Sequence, residues 1–300
     1  IFEMGAKMVP KEYGAVLNPF SEEGKRIASQ APPFEEMPEP IVEMAINRLR
    51  WRDREALVDP HEDAIKSEVY SFYLMCQSLA AVCHPYSRET QYARESTKNI
   101  VRYRLYDLFK RGESDFCLST IKQTINLLSL EEFLKTRPGL ELPKADYYRL
   151  RDLRMQKDGI KEVDPHLLHQ FLPSFAVKWT DIATIFKHNR AYLTDFYLLD
   201  GWAILTVRDL WDIYAEFVGL KTEEYIQAVY EKMIEYGKPK KLIEIGERIS
   251  KQIPKTVEVA QPVRGVAGKL NPEFFPPCIH NALNGVGSGL RNFAIIMLLT

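Results

Sequence analysis

The pattern of apolar and polar positions predicts long helices in the first part of the chain. Residues 41–59 are amphipathic, with apolar side chains recurring at helical spacing. Residues 64–83 are apolar on nearly every side, which is typical of a buried helix. A further helix is expected to start at Pro85, since proline suits the first helical position, and to run to about Lys110, where Gly112 stops it.

The second half of the chain begins with a change to strand-like alternation. The run SFAVKW alternates between apolar and polar residues, and the runs DFYLL and WAILT flank Asp200-Gly201. Two β-rich runs joined by Asp-Gly are the strongest short-range signal for a β-hairpin. We therefore predict a small β subdomain at about 170–206.

Helical spacing returns after the predicted hairpin. Thr206 and Asp209 form an N-terminal capping pattern ahead of an apolar helical stripe. Thr222 is expected to open a second helix, and Gly237 to end it.

Proline-rich segments divide the chain into regions. The run APPFEEMPEP holds four prolines in ten residues, and we predict an irregular N-terminal segment over 1–40. A mainly α domain is predicted over 41–255, with the small β-hairpin subdomain at about 170–206 inside it. A linker rich in proline and glycine follows at 256–272, and a further helical segment begins at 273–300.

Composition limits the classes of protein to consider. Hydrophobic residues make up 46% and charged residues 27% of the 300 positions, which is ordinary for a folded globular protein. The net charge is −1, so binding to nucleic acid cannot be inferred from overall charge. Four cysteines without a C-x-x-C pair favour a reducing, cytoplasmic location. The apolar run at 293–299 is too short to cross a membrane, so no membrane contact is predicted.

Motifs for catalysis are missing from the sequence. Nucleotidyl transfer through two metal ions needs paired carboxylates, and the chain has no Asp-x-Asp. It also has no Walker A loop, no G-x-S-x-G and no H-E-x-x-H. The glycine run at 285–289 has the wrong spacing for a dinucleotide fingerprint, and His166 with His169 reads as a pair of surface histidines. We therefore predict a non-catalytic protein, with an unrecognised active site as a remaining alternative.

A basic strip lies on the predicted helix that ends near Lys110. Arg94, Lys98 and Arg102 recur every four residues beside its apolar face. The default interpretation is a solvated flank whose aliphatic stems cover apolar surface. The alternative is a contact to a template or a partner protein.

The hairpin is a candidate partner-binding surface. Phe196, Tyr197, Leu198 and Leu199 stand in a row, with Trp202 across the turn. Alternate side chains of a strand face opposite ways, and the helical domain needs only one set. The other set either packs under a second layer of the same domain or binds a partner. We expect Tyr197 and Leu199 to be the exposed pair.

The end of the sequence resembles a known family. The segment Phe275–Cys278 reads F-P-P-C, Gly289–Asn292 reads G-L-R-N, and an apolar run follows. This combination is similar to the start of the iron–sulfur domain in the primase large subunit family of archaea and eukaryotes. Residues 17–27 and 196–214 are similar to other parts of archaeal members. Because the chain opens with Ile1 and stops inside the apolar run, we expect it to be a fragment of such a protein.

The resemblance implies specific site residues. It implies that Cys278 is the first thiolate ligand of a [4Fe–4S] cluster, with the other ligands beyond the end of this sequence. Cys76, Cys83 and Cys117 do not match family ligands, so the cluster is expected to be absent from this fragment. It also implies that Arg291 contacts the phosphate of a primer or initiating nucleotide. The alternatives are a buried structural cysteine and a surface arginine.

The resemblance also implies partners and a function. The family docks a catalytic small subunit near the hairpin, forming a heterodimer that works on a single-stranded DNA template and an RNA primer. The large subunit stabilises the small one and supports initiation of primer synthesis in DNA replication. The alternative is a helical scaffold protein unrelated to replication, with an accidental match at the C-terminal end.

Overall fold

The computed structural model describes residues 9–50, 62–186 and 196–253. Its α-helices are α1 (Gly14–Leu17), α2 (Glu22–Ala28), α3 (Glu39–Asn47), α4 (Glu62–Val82), α5 (Arg88–Lys110), α6 (Ser114–Lys122), α7 (Leu130–Lys135), α8 (Lys144–Lys157), α9 (Trp179–Ile185), α10 (Val207–Tyr236) and α11 (Lys240–Ser250). Its strands are β1 (Leu127–Ser129), β2 (Pro173–Lys178), β3 (Tyr197–Leu199) and β4 (Trp202–Thr206). The predicted mainly α fold with a small antiparallel sheet is confirmed.

The chain divides into two units, the first ending at Ile253 and the second beginning at Pro254. The predicted linker and the segment that resembles an iron–sulfur domain both fall in the second unit. They lie outside the described residues, so the predictions made for them stay predictions.

Helix α4 lies at the centre of the helical body. It packs against α3, α10 and α11 on different sides, which is why its sequence is apolar nearly all round. Val69, Phe72 and Leu79 are fully buried, as the prediction of a buried helix requires. Gly246 of α11 lies so close to α4 that a Cβ there would overlap the carbonyl oxygen of Ser78.

Helix α10 differs from its prediction. It is a single helix of 30 residues, so the expected new start at Thr222 is wrong. The Thr222 hydroxyl is buried and donates to the carbonyl oxygen of Val218 at 2.8 Å, which satisfies it within a continuous helix. The predicted capping box at Thr206 is confirmed, and Gly237, with a φ of 93°, ends the helix as predicted.

Two predicted boundaries before α10 are also corrected. Helix α5 begins at Arg88, and not at Pro85, because the Ser87 side chain caps it by accepting a hydrogen bond from the backbone of Thr90. The described part of the predicted irregular segment 1–40 contains α1, α2 and the first residues of α3. Leu17 and Ile27 from these short helices are buried in the core, so tertiary packing and not local periodicity orders them.

The sheet is antiparallel, with strand order β1-β2-β4-β3. Asp200 and Gly201 both have positive φ, 50° and 74°, which is the turn that the Asp-Gly pair predicts. Strand β1 was not predicted, because three residues are too few to show alternation. One face of the sheet, with Val177 and Ala203, packs on the helical body. The opposite face, with Ala176, packs under a smaller layer formed by α7, α8 and the segment between them.

Candidate functional site

The predicted hairpin stands at the edge of the described sheet, because β3 pairs with β4 alone among the four strands. Tyr197 and Leu199 share the face that packs against the α7–α8 layer, and both are partly buried. The Tyr197 hydroxyl donates to Oδ2 of Asp146 on α8 at 3.1 Å. Burial and this hydrogen bond raise the pKa of Tyr197. The expectation that Tyr197 and Leu199 form the exposed pair is therefore wrong, because a second layer of the same domain covers them.

Trp202 is not available as a surface anchor either, since only 8% of it is exposed. Its ring centroid lies 5.4 Å from that of Phe133 on α7. The Arg137 guanidinium lies 4.9 Å from the Trp202 ring and 4.3 Å from the Phe133 ring, and it also pairs with Asp200 at 3.2 Å. Arg137 thus fastens the hairpin turn to α7, a role that its isolated position in the sequence did not reveal.

Leu198 is the exposed apolar side chain of the hairpin, at 45%. It lies opposite Ala203 in the register, at the rim of the face that packs on the helical body. Phe196 is on the same side but half-buried, with its ring 6.4 Å from Trp179 and 6.0 Å from Phe186. Within the predicted partner-binding set, Leu198 therefore offers the most free apolar area.

Helix α8 packs beside the hairpin, and the sequence patterns do not predict this contact. A groove of about 450 Å³ runs between them, lined by Leu150 and Leu153 of α8 and by Tyr197 and Ile204 of the hairpin. Leu153 and Tyr148 are 52% and 51% exposed. We call Leu198, Leu153, Tyr148 and this groove the hairpin–α8 surface; Leu198 lies on the opposite face of β3 from the groove, and Tyr148 lies outside the groove lining. The sequence of α8 has no apolar stripe at helical spacing. This absence could have predicted that Leu153 and Tyr148 are exposed rather than buried in a core.

An arginine holds α8 in place. Arg154 is the one buried residue of this helix, with 3% of its side chain exposed. Its guanidinium pairs with Asp209 at 2.8 Å and Asp212 at 2.7 Å, both at the start of α10, and with Asp158 at 2.8 Å. Asp209 also completes the capping box with Thr206, directly after β4. The network therefore links α8, the hairpin and the helical body.

The predicted basic strip does not stand free. Arg94 pairs with Glu216 and Glu223, and Lys98 with Glu216 at 2.6 Å. Arg102 pairs with Asp212 at 2.7 Å. All these carboxylates belong to α10, so the strip lies at the α5–α10 contact and its charge is largely neutralised. The interpretation as a solvated flank is corrected for Arg94 and Lys98, while Arg102 is exposed; binding to a template would require breaking these pairs.

The described residues hold no group of three or more potential metal ligands. His166 and His169 are exposed on a short 3-10 segment, without a third ligand in that part of the chain. Cys117 is buried, and burial raises the pKa of its thiol to about 12, which keeps it protonated. Cys278 and Arg291 lie outside the described residues. No helix in the described ranges is long and apolar enough to span a membrane.

Comparison with known proteins gives one consistent result. The chain is 29% identical over 277 residues, 88% of its length, to the DNA primase large subunit PriL of Methanothermobacter thermautotrophicus. The chain has curated homologues that are large subunits of archaeal DNA primase. The protein of the same name from Pyrococcus horikoshii is 24% identical over 95% of the chain. The chain spans 58% and 64% of the length of these two relatives. No protein-family model matches the sequence.

Proposed function

We propose that this chain acts as the non-catalytic large subunit of a DNA primase and binds a catalytic small subunit through the hairpin–α8 surface. The observation that carries the proposal is the similarity of 277 residues to a protein named as a primase large subunit. A subunit needs a partner, and this surface holds a groove of about 450 Å³ with both apolar and charged lining residues beside a sheet edge. Helices α7 and α8, which form the second layer of the domain, position the hairpin, and α8 forms one side of the groove.

The surface has the features of a protein interface. Leu198 and Leu153 expose apolar area on either side of the edge strand β3, and Tyr148 adds an aromatic ring. Exposed apolar and aromatic side chains near a groove are enriched at protein contacts. Within the described ranges β3 pairs only with β4, so its outer side offers backbone groups to an incoming strand. A partner with an apolar anchor for the groove and an extended segment for β3 fits this arrangement.

The proposed division of labour follows from chemistry. The sequence has no Asp-x-Asp pair to hold two catalytic metal ions, so primer synthesis is assigned to the partner. The large subunit stabilises the partner and supports initiation on a single-stranded DNA template, where the RNA primer begins. Its helical body, in which α3, α10 and α11 pack around α4, supports the partner-binding surface in this role.

Replacing Leu198 and Leu153 together with arginine is expected to weaken binding to the catalytic subunit at least about thirtyfold. The reason is that two charged side chains would have to be desolvated in an apolar contact. Affinity is measured by titrating the purified catalytic subunit of the same organism into the variant and the unchanged protein. Circular dichroism checks that both remain folded.

The matched control is Ile234→Arg, at the other end of α10, where the side chain is 65% exposed. It should bind the catalytic subunit as tightly as the unchanged protein. If the Leu198/Leu153 variant keeps full affinity while folded, the docking site lies elsewhere. If the unchanged protein binds no catalytic subunit at all, the proposed function itself is wrong.

Cys278 and Arg291 remain proposals for the second unit, as a cluster ligand and a phosphate contact. The described residues hold no group of ligands that fits a metal centre, so they supply no site for a [4Fe–4S] cluster. In the longest version of the protein that can be purified, Cys278→Ser should lose most of its iron, because one of about four thiolates is removed. Cys83→Ser, a partly buried change in the helical body, should not. Equal iron content in both variants would contradict the ligand assignment.

A further inference from the structure

A second exposed surface lies at the opposite end of α10 from the hairpin. Among the described residues, the large apolar side chains with high exposure fall into two groups. One belongs to the hairpin–α8 surface, and the other consists of Tyr86, Ile234 and Tyr236, which are 65%, 65% and 79% exposed. A helix of 30 residues is about 45 Å long, so the second group is well separated from the first.

Three rings form a ladder at this end. The His84 ring centroid lies 5.5 Å from that of Tyr86 and 5.5 Å from that of Tyr230 on α10. Lys238 places its Nζ 5.6 Å from the centroid of the Tyr230 ring. We call Tyr86, His84 and Tyr230, with Lys238, the aromatic ladder. Its outer members face solvent, since Tyr86, His84 and Lys238 are all exposed.

The ladder is held in place by the turn between α4 and α5. The backbone N–H of Tyr86 donates to Nδ1 of His84 at 3.3 Å, and the Thr90 hydroxyl donates to the His84 carbonyl oxygen at 3.2 Å. Gly237, with its positive φ, turns the chain at the end of α10 and returns Lys238 over Tyr230. The rings therefore need little reorganisation to receive a flat ligand.

The segment of chain that leads from the end of α10 into α11 carries a net positive charge, although the whole chain does not. Residues 231–241 contain four lysines and two glutamates, against a net charge of −1 for all 300 residues. The first turn of α11 holds Lys240 and Lys241 and no acidic residue. Helix starts usually favour acidic side chains, so stability does not account for lysines here. Lys241 pairs with Glu244 at 3.8 Å in an exposed pair, whereas the basic side chains of α5 are paired with largely buried carboxylates of α10.

We propose that the aromatic ladder binds single-stranded nucleic acid, with bases stacking on Tyr86 and His84 and phosphates contacting Lys238 and the lysines of α11. Exposed ring faces beside ammonium groups are the combination that binds single strands without sequence preference. A duplex is disfavoured because its bases are already stacked on each other. A protein partner would favour a larger apolar area than the one Ile234 adds. The inference does not depend on the proposed docking surface.

The test is fluorescence anisotropy of labelled oligothymidylate and labelled oligouridylate, titrated with the full chain. Tyr86→Ala should weaken binding about tenfold, because one stacking platform is lost. Tyr86→Phe keeps the ring and should keep the affinity. Lys238→Ala should make the slope of log affinity against log salt concentration less steep by somewhat less than one unit, since one phosphate contact is lost.

The matched control is Tyr103→Ala on α5, a partly exposed ring that belongs neither to the ladder nor to the hairpin–α8 surface. It should bind both oligonucleotides like the unchanged chain. A larger loss for oligothymidylate in Tyr86→Ala would assign the site to DNA, and a larger loss for oligouridylate would assign it to RNA. Unchanged affinity of folded Tyr86→Ala for both would overturn the proposal. So would a selective loss of catalytic-subunit binding in that variant, which would assign the ladder to protein.

Discussion

Replacing Glu68 with glutamine is expected to lower the free energy of unfolding by about 3–5 kcal/mol. Glu68 of α4 is 4% exposed and lies between two arginines that are also buried. Its Oε2 accepts from Arg48 at 2.6 Å and lies 2.8 Å from Nη2 of Arg104 on α5. Glutamine keeps the shape and removes the charge, so two guanidinium groups would remain in the core without an anion. In the part of the chain that the structure describes, this cluster holds two guanidinium groups and one carboxylate, so the loss of the Glu68 charge leaves both cations unpaired with an anion there.

The same cluster gives a pH dependence with a defined sign. Burial alone would raise the pKa of Glu68, but Arg104 and Arg48 together lower it below the ordinary value of 4.5. The contribution of Glu68 to stability is therefore complete above that value and is lost as the pH falls below it. The unchanged protein should lose stability on acidification more steeply than Glu68→Gln, which has no carboxylate to protonate at this position.

Urea unfolding at neutral and acidic pH measures both effects. The control is Glu131→Gln, which removes an exposed pair with Lys135 and should cost less than about 1 kcal/mol. If Glu68→Gln is no less stable than that control, the buried charges are compensated by groups outside the cluster. Arg104→Met should cost far less in the Glu68→Gln background than in the unchanged protein, because the two residues act as one unit.

Replacing Arg154 with alanine is expected to lower the free energy of unfolding by about 3 kcal/mol and to loosen the packing of α8 on the rest of the domain. The three carboxylates around Arg154 would lose the cation that they share, while Asp158 would keep Arg208 at 3.0 Å and Asp212 would keep Arg102 at 2.7 Å. Because Asp158, Asp209 and Asp212 are 12–18% exposed, water can relieve part of the repulsion, which places the cost at the low end for buried pairs. Helix α8 has no other buried residue to hold it, so its amides should exchange with solvent much faster in the variant.

Hydrogen exchange of residues 144–157, together with urea unfolding, measures this effect. Arg151→Ala is the control on the same helix, since Arg151 pairs with the exposed Asp152 and should cost less than about 1 kcal/mol. Arg154→Lys should have a free energy of unfolding between those of the unchanged protein and Arg154→Ala, because one ammonium cannot bridge three carboxylates in the way a guanidinium does. Unchanged exchange across α8 in Arg154→Ala would show that the hydrophobic contact of Leu150 and the Tyr197–Asp146 hydrogen bond hold the helix.

The parts of the fold that the sequence predicts correctly are those set by local signals. The periodicity of α4 and the Asp200-Gly201 turn are local signals, and the structure contains both elements where they were predicted. Thr206 was predicted correctly as a helix cap for the same reason. Thr222 has the same side chain but a different outcome, because its neighbours continue the helix and its hydroxyl finds a partner four residues back.

The candidate site was predictable only in part. The sequence places Tyr197, Leu198 and Leu199 on a hairpin and assigns alternate side chains to opposite faces, and this alternation is confirmed by the register. It does not say which face is covered. Residues from α7 and α8, more than forty positions earlier, cover Tyr197 and Leu199 and leave Leu198 exposed. Arg94 and Lys98 show the same limit, since Glu216, which pairs with both, is more than a hundred residues away.

The sequence by itself determined the helical class, the hairpin with its turn, the C-terminal ends of α5 and α10 and the resemblance to primase large subunits. These features depend on the conformations of neighbouring residues or on motifs read in order along the chain. The tertiary structure alone decided which faces are buried, which charges are paired and which rings meet at the end of α10. Those properties depend on contacts between residues far apart in sequence, and burial and charge pairing arise only when such residues come together.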